Sequence, residues 1–150
     1  MDTQLTLIKN DPWLAPYEEA INGRHQFVKD KLKEFTNNGK RLLSDVADRH
    51  LYFGLHRTKD GWIFREWAPN ATEIYLIGDF NNWQELPKYK LRRKNVVNWE
   101  VKLPADAIKH GDLYKLKIRW EGGEGERIPS CARRVIQDPV THIFSAQVWS

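Results

Sequence analysis

Cysteine is nearly missing. Cys131 is the single thiol in 150 residues, which excludes an intrachain disulfide and makes a reducing compartment the expected setting. No base lies near it in sequence, as a catalytic thiolate would need, so it reads as structural. Long hydrophobic runs are missing as well. None approaches the roughly 20 residues of a membrane-spanning helix. The opening "MDTQLTLIKN" has neither the basic start nor the apolar core of a secretory leader. A soluble, cytoplasmic protein with no membrane partner is expected.

The signatures of catalysis are scarce too. "GGEGE" lacks the lysine and hydroxyl of a phosphate-binding loop and does not lead into an apolar helix. His25, His50, His56, His110 and His142 show no paired metal-ligand spacing, so no metal and no cofactor are expected. No Ser-His-Asp or Cys-His arrangement and no local carboxylate dyad can be read from spacing. Charge of one sign is only slightly in excess, with 24 basic residues against 20 acidic for a net charge of +4. The densest basic run, "KYKLRRK" at 88–94, reads as a solvated strand edge whose lysines discourage edge-to-edge pairing. Nucleic acid is therefore not an expected partner. A nucleic-acid module would show itself by salt-sensitive binding.

What the chain has in quantity is tryptophan, seven residues within an aromatic content of 12%. An indole buries a large area yet carries an N–H that wants a partner. Several can fill a core, but all seven would be unusual in one. The remaining composition, 41% hydrophobic and 29% charged, is that of a folded chain.

Residues 1–50 read as a helical segment. Asp11-Pro12 has the form of a helix start, with Asp as cap and Pro at the first position, and Pro16 starts or kinks the chain again. Tyr17, Ile21, Val28, Leu32 and Phe35 then share one stripe at helical period. Asn37-Asn38-Gly39 ends the helix, and a short helical piece is possible around 42–47. From about Leu51 the period becomes two. Strands are expected at 51–58 and 62–67 around Lys59-Asp60-Gly61, then at 73–77, 97–103, 113–120 and 143–148, with "EGGEGE" a mobile turn. Val97, Trp99, Val101 and Leu103 share a face. Tyr114, Leu116, Ile118 and Trp120 oppose Lys115, Lys117 and Arg119, which groups Trp120 with the core. Short strands at this spacing predict a mainly β fold, a β-sandwich over 51–150. The ending "VWS", directly after an apolar strand, suggests a piece of a longer chain.

"GDFNNW" at 78–83 sets a tryptophan at the far end of a turn. A sugar ring offers a flat face of C–H groups and a rim of hydroxyls. An exposed indole suits the face, and Asn81, Asn82, Lys115 and Lys117 are suited to the rim, with Trp120 a second indole.

"EWAPNATEIYLIGDFNNW" at 66–83 resembles the signature of the N-terminal module of glycogen and starch branching enzymes. That module is a family 48 carbohydrate-binding domain within glycoside hydrolase family 13 enzymes. "YKLKI" at 114–118 resembles a later family strand. "DPWLAPYEEAINGRHQFV" and "YFGLHRTKDGWIFREWAP" resemble the N-terminal helix and first hairpin of eukaryotic-type branching enzymes. The resemblance implies an immunoglobulin-like β-sandwich that binds α-glucan and supports a following (β/α)8 barrel. The barrel of such enzymes cuts an α-1,4 glucan and rejoins the piece as an α-1,6 branch. A barrel needs about 250 residues, so the 150 present, already assigned to a helix and a sandwich, are expected to be non-catalytic. The resemblance also implies that Trp83 is the sugar-stacking tryptophan and Lys115 its lysine. The relatives' second tryptophan follows a turn, whereas Trp120 comes earlier, still on its strand. Trp13 and Tyr17 become candidates for a glucan or interdomain contact. Two other readings stay open at this point: a glycogen-binding regulatory domain of the AMP-activated kinase β type, and a structural spacer without a sugar site.

Overall fold

A computed structural model describes residues 5–150; the first four residues of the N-terminal segment lie outside the described part. The chain divides into two compact units, Met1–Asp48 and Arg49–Ser150.

The first unit is helical. A short helix, α1 (Thr6–Asn10), is followed by a 3-10 helix over Pro12–Tyr17, then by α2 (Glu18–Phe35). The Asp11 side chain accepts a hydrogen bond from the Trp13 N–H at 3.0 Å, the cap expected before Pro12. Pro16 is accommodated inside the 3-10 helix rather than starting a new element. Thr36 closes α2, its hydroxyl donating to the Leu32 carbonyl at 2.7 Å and accepting from the Gly39 N–H at 3.0 Å. Asn37 and Asn38 then take left-handed backbone, φ 50° and 56°. The apolar stripe of α2 lies open, with Val28, Leu32 and Phe35 all exposed. A single 3-10 turn, Leu43–Asp45, replaces the helical piece expected near residue 42.

The second unit is a sandwich of two antiparallel sheets, the fold expected from the period-two pattern. Its strands are β1 (Gly54–Thr58), β2 (Gly61–Trp67), β3 (Ala71–Gly78), β4 (Arg92–Arg93), β5 (Asn98–Leu103), β6 (Leu113–Trp120), β7 (Gly123–Arg127), β8 (Val135–Gln137) and β9 (Phe144–Gln147). One sheet runs β1-β2-β5-β4, the other β3-β6-β9-β8 with β7 paired to β6. Trp62, Phe64, Trp99, Val101 and Leu103 of the first sheet meet Ile74, Leu76, Tyr114, Leu116, Ile118 and Ala146 of the second in one core. Full burial of a side chain such as Phe64 contributes about 1.5–3 kcal/mol. "KYKLRRK" buries Tyr89 and Leu91 and turns its charges outward, ending in β4 at the edge of the first sheet.

Three expectations need correction. Residues 49–52 form a helical turn, α3 (Arg49–Tyr52), not the start of a strand. The Phe53 N–H donates to the Arg49 carbonyl at 2.7 Å, and the Arg65 guanidinium lies 4.4 Å from the Tyr52 ring centroid. The first hairpin turns on Lys59-Asp60, because Thr58 and Gly61 are already paired across it. "EGGEGE" is no mobile turn. Only Glu121-Gly122 form the turn, and Gly123–Arg127 pair in register with Leu116–Trp120 as β7.

Candidate functional site

The hexapeptide 78–83 is a tightly bonded corner at the end of β3. Gly78 is required there by close approach: a Cβ would come 2.3 Å from the Leu113 carbonyl oxygen and 2.9 Å from Phe80 and Tyr114. Phe80 turns inward and stacks on Tyr89 at 5.1 Å between centroids, against the core. Asn81 is 5% exposed. Its amide oxygen accepts from the Gly78 N–H at 2.9 Å, and its amide nitrogen donates to the Leu76 carbonyl at 3.0 Å. Both polar ends are thus spent on the backbone, so the expectation that Asn81 contacts sugar is corrected: it is the staple of the corner. Asn82 and Trp83 follow with left-handed backbone, φ 53° and 58°. Asn tolerates positive φ, but it is an outlier for a residue as bulky as Trp.

That backbone sends the Trp83 indole outward, 39% exposed. The ring is nonetheless fixed. Its N–H donates to one Asp79 oxygen at 3.0 Å, while the other Asp79 oxygen accepts from the Leu113 N–H at 2.7 Å. The Trp83 backbone N–H donates to the Gly78 carbonyl at 2.9 Å. Lys115, one strand over, places its ammonium 6.0 Å from the indole centroid, the outer limit of a cation–π contact. It also faces Glu126 at 3.8 Å. Trp83, Lys115 and exposed Asn82 are therefore brought to one edge of the second sheet. The sequence reading missed Asp79, the residue that holds the indole, although it stands inside the quoted motif.

The rest of the outer face of β6 is charged. Arg119 reaches Glu73 at 2.6 Å, Glu85 at 2.7 Å and Glu124 at 3.0 Å, and Lys117 reaches Glu124 at 2.6 Å. Hydrogen bonds from Lys90 and Arg119 hold the Glu73 carboxyl below its ordinary value, and Lys117 does the same to Glu124. Lys117, assigned to a sugar rim from sequence, is committed to this network.

Trp120 does not join Trp83. Alternation along β6 puts Lys115 on the outer face and Trp120 on the opposite one, at the far end of the strand. Nor is Trp120 core, since it is 44% exposed. Its indole lies across the β7 glycines: a Cβ on Gly123 would stand 3.1 Å from the ring and one on Gly125 3.3 Å. Trp13 and Tyr17 are both exposed on the 3-10 helix of the first unit. Among the described residues, no group of three or more His, Cys, Asp or Glu side chains could hold a metal ion. No helix among them is long and apolar enough to cross a membrane.

An open indole is thus anchored at the rim of a β-sandwich, beside a lysine and an amide. The chain belongs to the family of carbohydrate-binding module 48 (isoamylase N-terminal domain), whose sequence profile matches residues 52–140. Beyond that class, it is similar to 1,4-alpha-glucan-branching enzymes. It is 36% identical over 150 residues to the enzyme of Dictyostelium discoideum, covering 96% of this chain and 22% of that protein. It is 37% identical over 155 residues to that of Rhizophagus irregularis, again covering 96% and 22%. The chain thus spans about a fifth of the length of these curated relatives. Among solved structures, the type I pullulanase of Bacillus subtilis complexed with maltose superposes with a TM-score of 0.51 at 20% identity, over 69% of this chain and 14% of that one. The catalytic module of a glycogen-degrading pneumococcal virulence factor gives 0.51 at 15%, over 65% and 16%. At these identities the likeness concerns the fold.

Proposed function

We propose that this chain is the non-catalytic N-terminal part of a 1,4-α-glucan branching enzyme, in which the sandwich binds α-glucan through Trp83. A helical segment over 1–50 and the module over 51–150 are its two domains, and it works in the cytoplasm. The parent moves α-1,4 chain segments to α-1,6 positions on a catalytic barrel, against which this part rests. The reading is supported by relatives that match the helical segment as well as the module, across 96% of the chain. The observation that carries the binding role is the indole of Trp83, 39% exposed, set on left-handed backbone and fixed through its ring N–H by the Asp79 carboxylate. Left-handed backbone at a bulky residue costs of order 1–3 kcal/mol and persists only where the surrounding structure over-determines it, a pattern that clusters at functional sites. Here it presents a fixed flat ring to a pyranose, with Lys115 and Asn82 beside it for the hydroxyls. Trp13 and Tyr17 serve a glucan or interdomain contact.

Titration of the chain with maltoheptaose tests the reading. The Trp83 indole N–H resonance is expected to shift at millimolar sugar, and Trp83→Ala to lose tryptophan-fluorescence changes that arise at this edge. A Trp83 resonance that stays in place at saturating sugar overturns the binding role.

A further inference from the structure

A second aromatic surface lies elsewhere on the same sandwich. Trp67, the last residue of β2, and Trp120, the last residue of β6, line one groove of about 490 Å³, together with Pro69, Asn70 and Arg127. That volume falls within the range of small-ligand sites. Each of the two indoles is 44% exposed. Trp62, Trp99 and Trp83 all donate their indole N–H to the protein, at 3.3, 2.9 and 3.0 Å. Among the described residues, the indole N–H groups of Trp67 and Trp120 have no such acceptor, and the exposed Asn70 amide has no hydrogen-bond partner.

The construction of the groove is specific. Glycine inside a strand weakens it, and two in five residues is a poor choice for pairing alone. At Gly123 and Gly125 the missing Cβ atoms let the Trp120 ring lie on the β7 backbone, since a methyl at either position would stand 3.1 or 3.3 Å from it. The remaining surface of the ring is left to the groove. Trp67 is steadied across from it by Arg127, whose guanidinium donates to the Trp67 carbonyl at 3.4 Å and reaches the buried Glu66 carboxylate at 3.3 Å.

We infer that the Trp67–Trp120 groove is a second α-glucan subsite, separate from Trp83. The two indoles take the apolar faces of successive glucose units. Their N–H groups, with Asn70 and Arg127, meet the hydroxyls. A flat apolar ring with a polar rim is the surface a pyranose complements. The Trp83 edge and the groove lie at opposite ends of β6 and on opposite faces of its sheet. A branched polymer can occupy both, so that the second contact becomes intramolecular. The inference rests on the reading of the chain as an α-glucan binder but on a disjoint set of residues.

Maltoheptaose titration of the 150-residue chain, followed on assigned indole N–H resonances, separates the two sites. In Trp83→Ala the Trp67 and Trp120 resonances are expected to keep shifting. In Trp67→Ala the Trp120 shift is lost while Trp83 still responds. Trp67→Ala leaves the glycine seat untouched, so it stands even where Trp120→Ala perturbs folding. Glycogen affinity is expected to fall about tenfold or more in either Trp67→Ala or Trp83→Ala. Trp67 and Trp120 resonances that remain fixed at saturating maltoheptaose while Trp83 shifts would overturn the groove assignment and leave the Trp83 site standing. Shifts in the groove that vanish in Trp83→Ala would likewise overturn it. A groove unmoved by maltoheptaose but filled by a protein partner would make it a docking surface instead.

Discussion

At Asn81 one side chain carries two backbone groups of a buried corner, the Gly78 N–H and the Leu76 carbonyl. Replacing it with alanine leaves both without partners, at a cost of about 1–3 kcal/mol. Asn81→Ala is expected to lower the urea midpoint with an unchanged denaturant slope, whereas Asn82→Ala, on an exposed side chain, should change sugar response more than the stability its backbone conformation contributes. A larger loss of stability in Asn82→Ala than in Asn81→Ala contradicts this division. "GDFNNW" was legible as a turn with a notable tryptophan. Composition could not tell which of its two asparagines faces inward. That is decided by the Gly78 and Leu76 backbone groups, which only the folded corner brings within reach. Asp79 escaped notice for the same reason: its partners, Trp83 and Leu113, lie four and 34 positions away.

The elements with clean alternation, β5 and β6, were readable, because one face of each packs into the core. β7 was not. Its glycines imitate a loop, and their purpose, room for the Trp120 ring, depends on a strand partner that the local pattern does not mention. Trp120 itself obeys the alternation and still emerges half exposed, because the strand runs past the end of the core. β7 is tied to β2 at Glu66, which is fully buried. The Glu66 carboxylate accepts from the Ser130 N–H at 3.2 Å, the Ser130 hydroxyl at 2.5 Å and the Trp67 N–H at 3.2 Å, and it faces Arg127 at 3.3 Å. Glu66→Ala removes the buried charged acceptor that these groups share, and a loss of about 1.5–3 kcal/mol is expected, the worth of a hydrogen bond to a charged group. Hydrogen exchange should show amide protection falling in β7 before β3. Equal protection in β7 and β3 in the variant would show that Glu66 does not hold β7 in place.

Over the whole sandwich, the charged outer face sets the response to acid. Hydrogen bonds from Lys90 and Arg119 lower the Glu73 carboxyl, and Lys117 lowers that of Glu124. Burial pushes the Glu100 carboxyl up, but the Arg65 hydrogen bond and the Lys94 charge more than offset it, so it too ends below its ordinary value. A carboxylate lowered on folding stabilises above its unfolded value, here 4.5, and that contribution disappears as pH falls through the folded value. Thermal midpoints measured from pH 7 downward are therefore expected to hold and then drop below pH of about 4.5. For the exposed pairs the effect should shrink in high salt. A midpoint that rises on acidification would refute the assignment.

The divided allegiance of Asp79 has a consequence for detection. One oxygen holds the aromatic ring that meets solvent, and the other holds the first amide of the long central strand. Any tug on the ring must be felt at Leu113, which makes that amide a built-in strain gauge for events at the rim.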